Sequence, residues 1–500
     1  MLLRDDQPRD DRLTTTRRIG AWTLHSAADR LPLGLEVSDG SWTYTTAPFS
    51  HAAVWHALGE GGTLRAIGSD PVALARAIGA RPDGSALVDD LLLGFRPDGR
   101  APYKGVLPCG AAHAMGYSPH GVDRTGMGIA EHPLESLGQR IAGAMDGGAC
   151  LELTGGVDSR LLLALGVGAG GVPTRAFTIG RDDDPDVRVA RQLADALGME
   201  HRTLLAPPDE GRLPADARMF VAESGYACNA AAYGWLPSLF RELEGFRAAQ
   251  LSGVGGEVGE GFYYTGLDGL FERLNSPRLW LRARAVVDGG RWASLFEPGV
   301  LADRLGEVAR ERTELQQRGP WRLRTDDFYL HARIHGWAVP VIRASAAWYE
   351  PITPFLSAEY LAWSRSLTAE QRHGRAAQRQ AIDRLAPKIA GIPYAKSLES
   401  PSGGALARKL TRARRLVGRV LPRPTEQPLQ WADTAASLMR SLDGADSVVD
   451  RLRTLEGVRA DRVAEVLASD PRTSAHAIGA MLSMAWAIDR LTDSRPEWQD

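Results

Sequence analysis

The stretch that decides the fold is Ala149-Cys150-Leu151-Glu152-Leu153-Thr154-Gly155-Gly156-Val157-Asp158-Ser159-Arg160-Leu161-Leu162-Leu163-Ala164-Leu165. Ala149 to Leu153 reads as a strand, and the apolar run from Arg160 to Leu165 opens a helix. Between them, two glycines let the backbone turn tightly and approach an anion closely. Free N–H groups at the start of the helix then point at that anion, with the helix dipole behind them. Thr154 and Ser159 add hydroxyl donors. Asp158 would repel a phosphate unless Mg²⁺ stood between them, so a carboxylate here argues for a metal–nucleotide complex. The bland alternative is a plain strand-to-helix turn.

Outward from this loop, the chain alternates. A helix over Pro133 to Met145 precedes it, and a strand over Thr174 to Ile179 follows. Ala190, Leu193, Ala194 and Leu197 recur at helical spacing, and His201 to Leu205 gives a further strand. Ala248 to Leu251 is another strand, ending in Ser252-Gly253-Val254-Gly255-Gly256-Glu257. Strands alternating with helices predict an α/β fold with a parallel sheet, whose ligands sit beyond the carboxyl ends of the strands. Both glycine-rich loops fall at such ends. Gly166-Val167-Gly168-Ala169-Gly170-Gly171 matches a dinucleotide fingerprint but follows a helix, so it reads as a helix-ending loop. No GxxxxGK[ST] phosphate loop occurs.

Before residue 134 the pattern is α+β: a strand over Trp42 to Thr46, short helices over Val72 to Ile78 and Ser85 to Gly94, and a strand pair near Ala112 to Tyr117. From about residue 266 the chain reads as mostly helical, with a basic stretch from Arg408 to Arg423 that suits a solvated helix face. The expected division is residues 1–133 and 134–500.

Composition narrows the class. With 500 residues, 44% hydrophobic and 24% charged, the chain is globular and holds two to three domains' worth of sequence. A formal net charge of −2 recruits neither nucleic acid nor an anionic membrane. Three cysteines (Cys109, Cys150, Cys228) make no disulfide framework, and the charged N-terminus is unlike a signal peptide. The longest apolar candidate, Leu161 to Val172, is too short and glycine-interrupted to span a membrane, so a cytoplasmic location is expected. Of 59 Lys and Arg residues only Lys104, Lys388, Lys396 and Lys409 are lysines, a pattern of codon bias.

The Thr154–Ser159 loop resembles the SGGxDS loop of the asparagine synthetase-like ATP pyrophosphatases. Phe177-Thr178-Ile179-Gly180 is similar to the strand that borders the adenine in that family, and Ser252–Glu257 stands where the family has SGDGADE. Glu350 with Pro354-Phe355-Leu356 is similar to E-x-R-x-P-F-L-D, Lys396 after Ile392-Pro393 to the lysine of an R-x-K segment, and residues 62–115 to the end of a glutaminase-like domain. The resemblance implies a PP-loop sheet flanked by helices, preceded by a degenerate α+β glutaminase-like domain. It implies adenylation of a substrate carboxylate by ATP with Mg²⁺, followed by attack of an amine.

On that resemblance, Thr154, Gly155, Gly156 and Ser159 would hold pyrophosphate and Asp158 would bind Mg²⁺. Ser252, Gly253 and Ile179 would line the nucleotide pocket. Glu257 would be the second metal carboxylate, where the family has Asp, or else a structural cap. Lys396 would stabilise the adenylate, or be an exposed loop lysine. Glu350 would accept the amine's proton, or pair with an Arg. Members that hydrolyse glutamine need an N-terminal cysteine, whereas this chain begins Met1-Leu2-Leu3; members that form β-lactams carry Tyr where Val254 stands. The expectation is therefore an amide ligase of secondary metabolism, with macrolactam closure of lasso-type peptides leading. Its partners would be a carboxylate/amine substrate such as a precursor peptide, with that peptide's protease. The rivals are a non-catalytic scaffold and an enzyme acting on tRNA.

Overall fold

The computed structural model describes strands within residues 2–58, then residues 64–97, 99–108, 113–118, 121–126, 133–205, 210–314, 320–395, 429–442 and 445–493. Lys396, Cys109 and the basic stretch 408–423 lie outside the described residues.

The amino-terminal third contributes β1 (Leu2–Arg4), β2 (Thr15–Ile19), β3 (Trp22–Ser26), β4 (Leu35–Ser38), β5 (Ser41–Thr45), β6 (Trp55–Leu58) and β7 (Leu64–Gly68). Helices α1 (Pro71–Ala77) and α2 (Gly84–Leu93) follow, then β8 (Val106–Pro108), β9 (His113–Ser118) and β10 (Gly121–Gly126). The strands form two antiparallel sheets, β2-β3-β1-β7-β6-β8 and β10-β9-β5-β4. Asp70 and Asp83 cap α1 and α2 by accepting from the backbone N–H groups of Val72 and Ser85.

Next come α3 (Pro133–Asp146), β11 (Cys150–Glu152), α4 (Val157–Gly168), β12 (Arg175–Ile179), α5 (Pro185–Leu197), β13 (Glu200–Leu204), β14 (Ala249–Leu251) and β15 (Glu350–Ile352). These five strands make one parallel sheet in the order β13-β12-β11-β14-β15. The order runs outward in both directions from β11, so β11 and β14 flank the point where the topology reverses. That crevice is where open α/β sheets bind ligands. β15 was not expected: it is three residues long and carries Pro351, which an edge strand tolerates because one side of its backbone needs no partner.

Two further differences from the sequence reading are local. Helix α4 begins at Val157, three residues earlier than the apolar run suggests, with Gly156 as its N-cap and no side chain capping it. It also runs through Gly166 and Gly168, ending only at Ala169. Gly166 is needed inside the helix: a Cβ there would lie 2.5 Å from the Met145 sulfur and 2.8 Å from Ile141 Cγ2 of α3. Gly166 therefore serves close helix packing, while Gly170 (φ 92°) and Gly171, whose N–H donates to the Gly166 carbonyl at 2.9 Å, end the helix as the sequence suggested.

The expected division after residue 133 falls at the first residue of α3, yet the cores cross it. Leu92, Leu93 and Phe95 of the α2 region join the core around β11, α4 and α5. Leu74, Leu87 and Leu91 share another core with the carboxyl-terminal helix Pro471–Thr492. Tyr103 donates to the carbonyl of Ala487 at 3.0 Å, and Arg304 pairs with the fully buried Asp89 at 2.8 Å. Among the described residues no helix is long and apolar enough to cross a membrane.

Candidate active site

Because the five strands are parallel, the loops after β11 and β14 leave the same edge of the sheet side by side. The first loop is clasped by its own hydroxyls. Ser159 Oγ accepts from the Thr154 N–H at 3.1 Å and donates to the Thr154 carbonyl at 3.1 Å, while Thr154 Oγ1 accepts from Gly156 N–H at 3.2 Å. The Gly155 N–H donates to Asp186 Oδ1 at 2.9 Å. Thr154 and Ser159 thus set the loop's shape, leaving the uncapped start of α4 as the anion-facing element.

The second loop interleaves with the first through glycines. A Cβ on Gly253 would lie 3.1 Å from Ser159 N, and one on Gly256 would lie 2.4 Å from Asp158 Oδ1. Gly255 sits between them at φ 92°, a left-handed backbone that glycine adopts freely. Ser252 donates to Glu152 Oε2 at 2.9 Å, and Gln250 donates to the same oxygen at 3.0 Å. Ile179 ends β12 against the core that includes Phe177 and Phe240. Of the residues singled out from the sequence, Thr154, Gly155, Gly156, Asp158, Ser159, Ser252, Gly253 and Glu257 gather on these two adjoining loops, and Ile179 ends the strand next to β11.

Acidity concentrates at their junction. Asp158 Oδ2 accepts from Arg375 at 2.9 Å and its Oδ1 from Gln378 Nε2 at 3.3 Å. Arg375 also donates through Nε to Glu260. Burial, opposed by Arg375 and reinforced by Glu257 and Glu260, pushes the Asp158 carboxyl up to about 7. Burial likewise raises Glu257, which Tyr329 hydrogen-bonds. The other carboxylate oxygen of Glu257, Oε2, is buried without a hydrogen-bond partner. Gln378 and Tyr360 both donate to the Gly256 carbonyl, at 2.8 and 2.9 Å, and fix the second loop from behind.

Arg375, Gln378, Glu260 and Glu152 were not singled out from the sequence. Arg375 precedes the helix Ala376–Leu385 in a left-handed conformation (φ 63°, ψ 31°), directly after left-handed Gly374. Two such residues in succession are the only local signal that this segment is bent to serve a site.

Glu350 stands elsewhere. It opens β15, paired in register with Ala249, roughly 7 Å along the strand from the level of Ile352 at ~3.3 Å per residue. Its exposed side chain makes no hydrogen bond or ion pair among the described residues. Parallel register, which the sequence motif does not encode, sets it level with Ala249 at the start of β14, whereas the loop that meets Asp158 follows the end of β14. Lys396 lies outside the described residues, but its neighbour Ala395 donates its N–H to the Gly155 carbonyl at 3.0 Å.

Of the aromatics expected mainly as core, Tyr226 is buried, while Tyr233, Trp235 and Trp348 are half-buried and packed against the core, Trp348 in tilted contact with Phe220 and Phe240. Tyr233 and Trp337, which hydrogen-bond each other, also line a cavity of about 20 Å³ with Asn229 and His476. That is room for one water, not for a substrate.

The asparagine synthase family model matches residues 137–386, half of the chain, and this span contains the whole parallel sheet and both loops. The chain belongs to the asparagine synthase family. It is 38% identical over 80 residues to the glutamine-hydrolyzing asparagine synthetase of Homo sapiens, a match covering 15% of this chain and 14% of that protein. The same figures hold for the glutamine-hydrolyzing asparagine synthetase of Pongo abelii. The matched segment is thus about one seventh of the length of these relatives.

Proposed function

We propose that this member of the asparagine synthase family is an ATP-dependent amide-bond-forming ligase that adenylates a substrate carboxylate, releases pyrophosphate and couples the acyl group to an amine. The observation that carries this reading is the shared junction of two glycine-rich loops at the point where the sheet reverses, with Asp158 wedged against Gly256. The uncapped start of α4 offers N–H groups to the pyrophosphate. Ile179 would lie against the base, and Ser252 and Gly253 would line the nucleotide pocket.

The donor set fits Mg²⁺. Among the described residues no group of three His, Cys, Asp or Glu side chains forms a resident metal centre. Asp158 and Glu257 supply two hard oxygen donors, and Glu257 Oε2 is buried without a hydrogen-bond partner. Mg²⁺ is commonly held by one or two carboxylates plus substrate phosphates. When bound, it would neutralise charge on the phosphates. Arg375 balances Asp158 and Glu260 in the ligand-free protein.

Lys396, one peptide beyond Ala395, is proposed to stabilise charge on the adenylate. Glu350, the first residue of β15, is proposed to accept the amine's proton, as the motif implies. We favour macrolactam closure of a lasso-type peptide as the specialisation, with a precursor peptide and its protease as partners. What supports this is Val254, which packs against the core where β-lactam formers carry Tyr. Incubation of the protein with ATP, Mg²⁺ and candidate linear peptides tests the proposal. AMP and pyrophosphate formation dependent on the peptide supports it; ADP and phosphate, or no peptide-dependent turnover with any carboxylate, counts against it.

A further inference from the structure

Arg160 directly follows the pyrophosphate loop and is fully buried on α4. A buried guanidinium is costly unless its donors are satisfied. Here the two terminal nitrogens are met not by a carboxylate but by two consecutive carbonyls: Nη1 donates to Ile392 and Nη2 to Pro393, the latter at 2.9 Å, while Nε is buried without a hydrogen-bond partner. The next residue, Tyr394, lies under the guanidinium with its ring centre 4.0 Å away. The residue after that, Ala395, donates its N–H to the Gly155 carbonyl at 3.0 Å. Ala395 fits only because Gly155 lacks a side chain, since a Cβ there would lie 2.6 Å from Ala395 Cβ. Four successive residues, 392 to 395, are therefore held between α4 and the loop that α4 follows.

We propose that Arg160 is a positioning residue for the pyrophosphate end of the nucleotide site. It latches the 392–395 segment so that Ala395 fixes the Gly155 carbonyl, while Asp186 fixes the Gly155 N–H from the other side. With both backbone polar groups of Gly155 engaged, the N–H groups at the start of α4 stay aimed at the anion. Lysine cannot replace this arginine, because one ammonium does not span two adjacent carbonyls as a planar fork does. The inference rests on the ATP-binding reading of the loop.

Calorimetric titration with Mg·ATP, Mg·pyrophosphate and AMP, which has no pyrophosphate, tests it on the intact protein. Arg160→Lys and Arg160→Gln are each expected to weaken Mg·ATP and Mg·pyrophosphate roughly tenfold, the effect of one hydrogen bond to a charged group, and AMP less than twofold. Tyr394→Leu, a milder change that keeps the carbonyl bonds, is expected to weaken the same two ligands about threefold and serves if the Arg160 variants do not fold. Wild-type affinity for Mg·pyrophosphate in Arg160→Lys would overturn the latch while leaving the ATP site standing. Equal weakening of all three ligands would reduce Arg160 to general stability and also overturn it. A wild-type protein that binds neither Mg·ATP nor Mg·pyrophosphate would remove the ATP-binding reading and this inference with it.

Discussion

Gly256→Ala tests the loop junction most sharply. A Cβ built on Gly256 lies 2.4 Å from Asp158 Oδ1, 2.5 Å from its Cγ and 2.7 Å from its Cβ. Ordinary contact begins near 3.4 Å, so something must move by about 1 Å. The second loop cannot back away: Gln378 and Tyr360 hold the Gly256 carbonyl, and Leu356 lies 2.4 Å from where a Cβ of Gly255 would be. Asp158 must therefore yield, against its bonds to Arg375 and Gln378. Overpacking of this kind costs about 1–3 kcal/mol. Taken wholly from ligand binding, that is roughly a 5- to 150-fold loss of Mg·ATP affinity. Calorimetry reads it directly, with Gly266→Ala as the control, since a Cβ there meets nothing within 4 Å. Unchanged Mg·ATP affinity in Gly256→Ala would show that Asp158's position is irrelevant to the nucleotide, and the reasoning would fail.

Three other outcomes are expected. Asp158 holds its proton up to about pH 7 in the folded chain but only to about 3.8 when unfolded, so its contribution to ligand-free stability is lost as pH rises from about 4 through 7. Thermal melts across that range should fall more steeply for wild type than for Asp158→Asn; parallel profiles would contradict the buried acidic junction. Gly479→Ala in the carboxyl-terminal helix places a Cβ 1.9 Å from Asn229 Oδ1 and 2.6 Å from Ala231 N, and should cost about 2 kcal/mol or more in urea unfolding. Glu350→Gln should leave Mg·ATP affinity within about twofold, because Glu350 sits at the amino end of an edge strand; a tenfold loss by calorimetry would restore it to the nucleotide site.

What the sequence made legible was local. Thr154–Ser159 and Ser252–Glu257 carry their meaning in consecutive residues, because glycine placement, an apolar strand and an apolar helix determine a turn together. The short helices read over Val72 to Ile78 and Ser85 to Gly94 are shifted by one residue in the structure, and α5 announced itself through periodicity. What was hidden depends on convergence. β15 has three residues, one of them proline, too few for any period to register. Arg375 and Gln378 meet Asp158 across more than two hundred residues of chain, through a left-handed bend that composition does not betray. Glu152 looks misplaced in a central strand until Gln250 and Ser252, on the next strand and its loop, are seen to donate to it. Gly166 was misread because a glycine demanded by Met145 and Ile141 of another helix looks, in sequence, like a glycine that ends its own.

The central claim is that the two loops, with Asp158 at their junction, form a metal–nucleotide site. The direct measurement is calorimetric titration of ATP into wild type and Asp158→Ala, each with and without Mg²⁺. The account predicts saturable wild-type binding that depends on Mg²⁺ and falls at least tenfold in Asp158→Ala. Binding of equal strength with and without Mg²⁺, or equal in the two proteins, would contradict it.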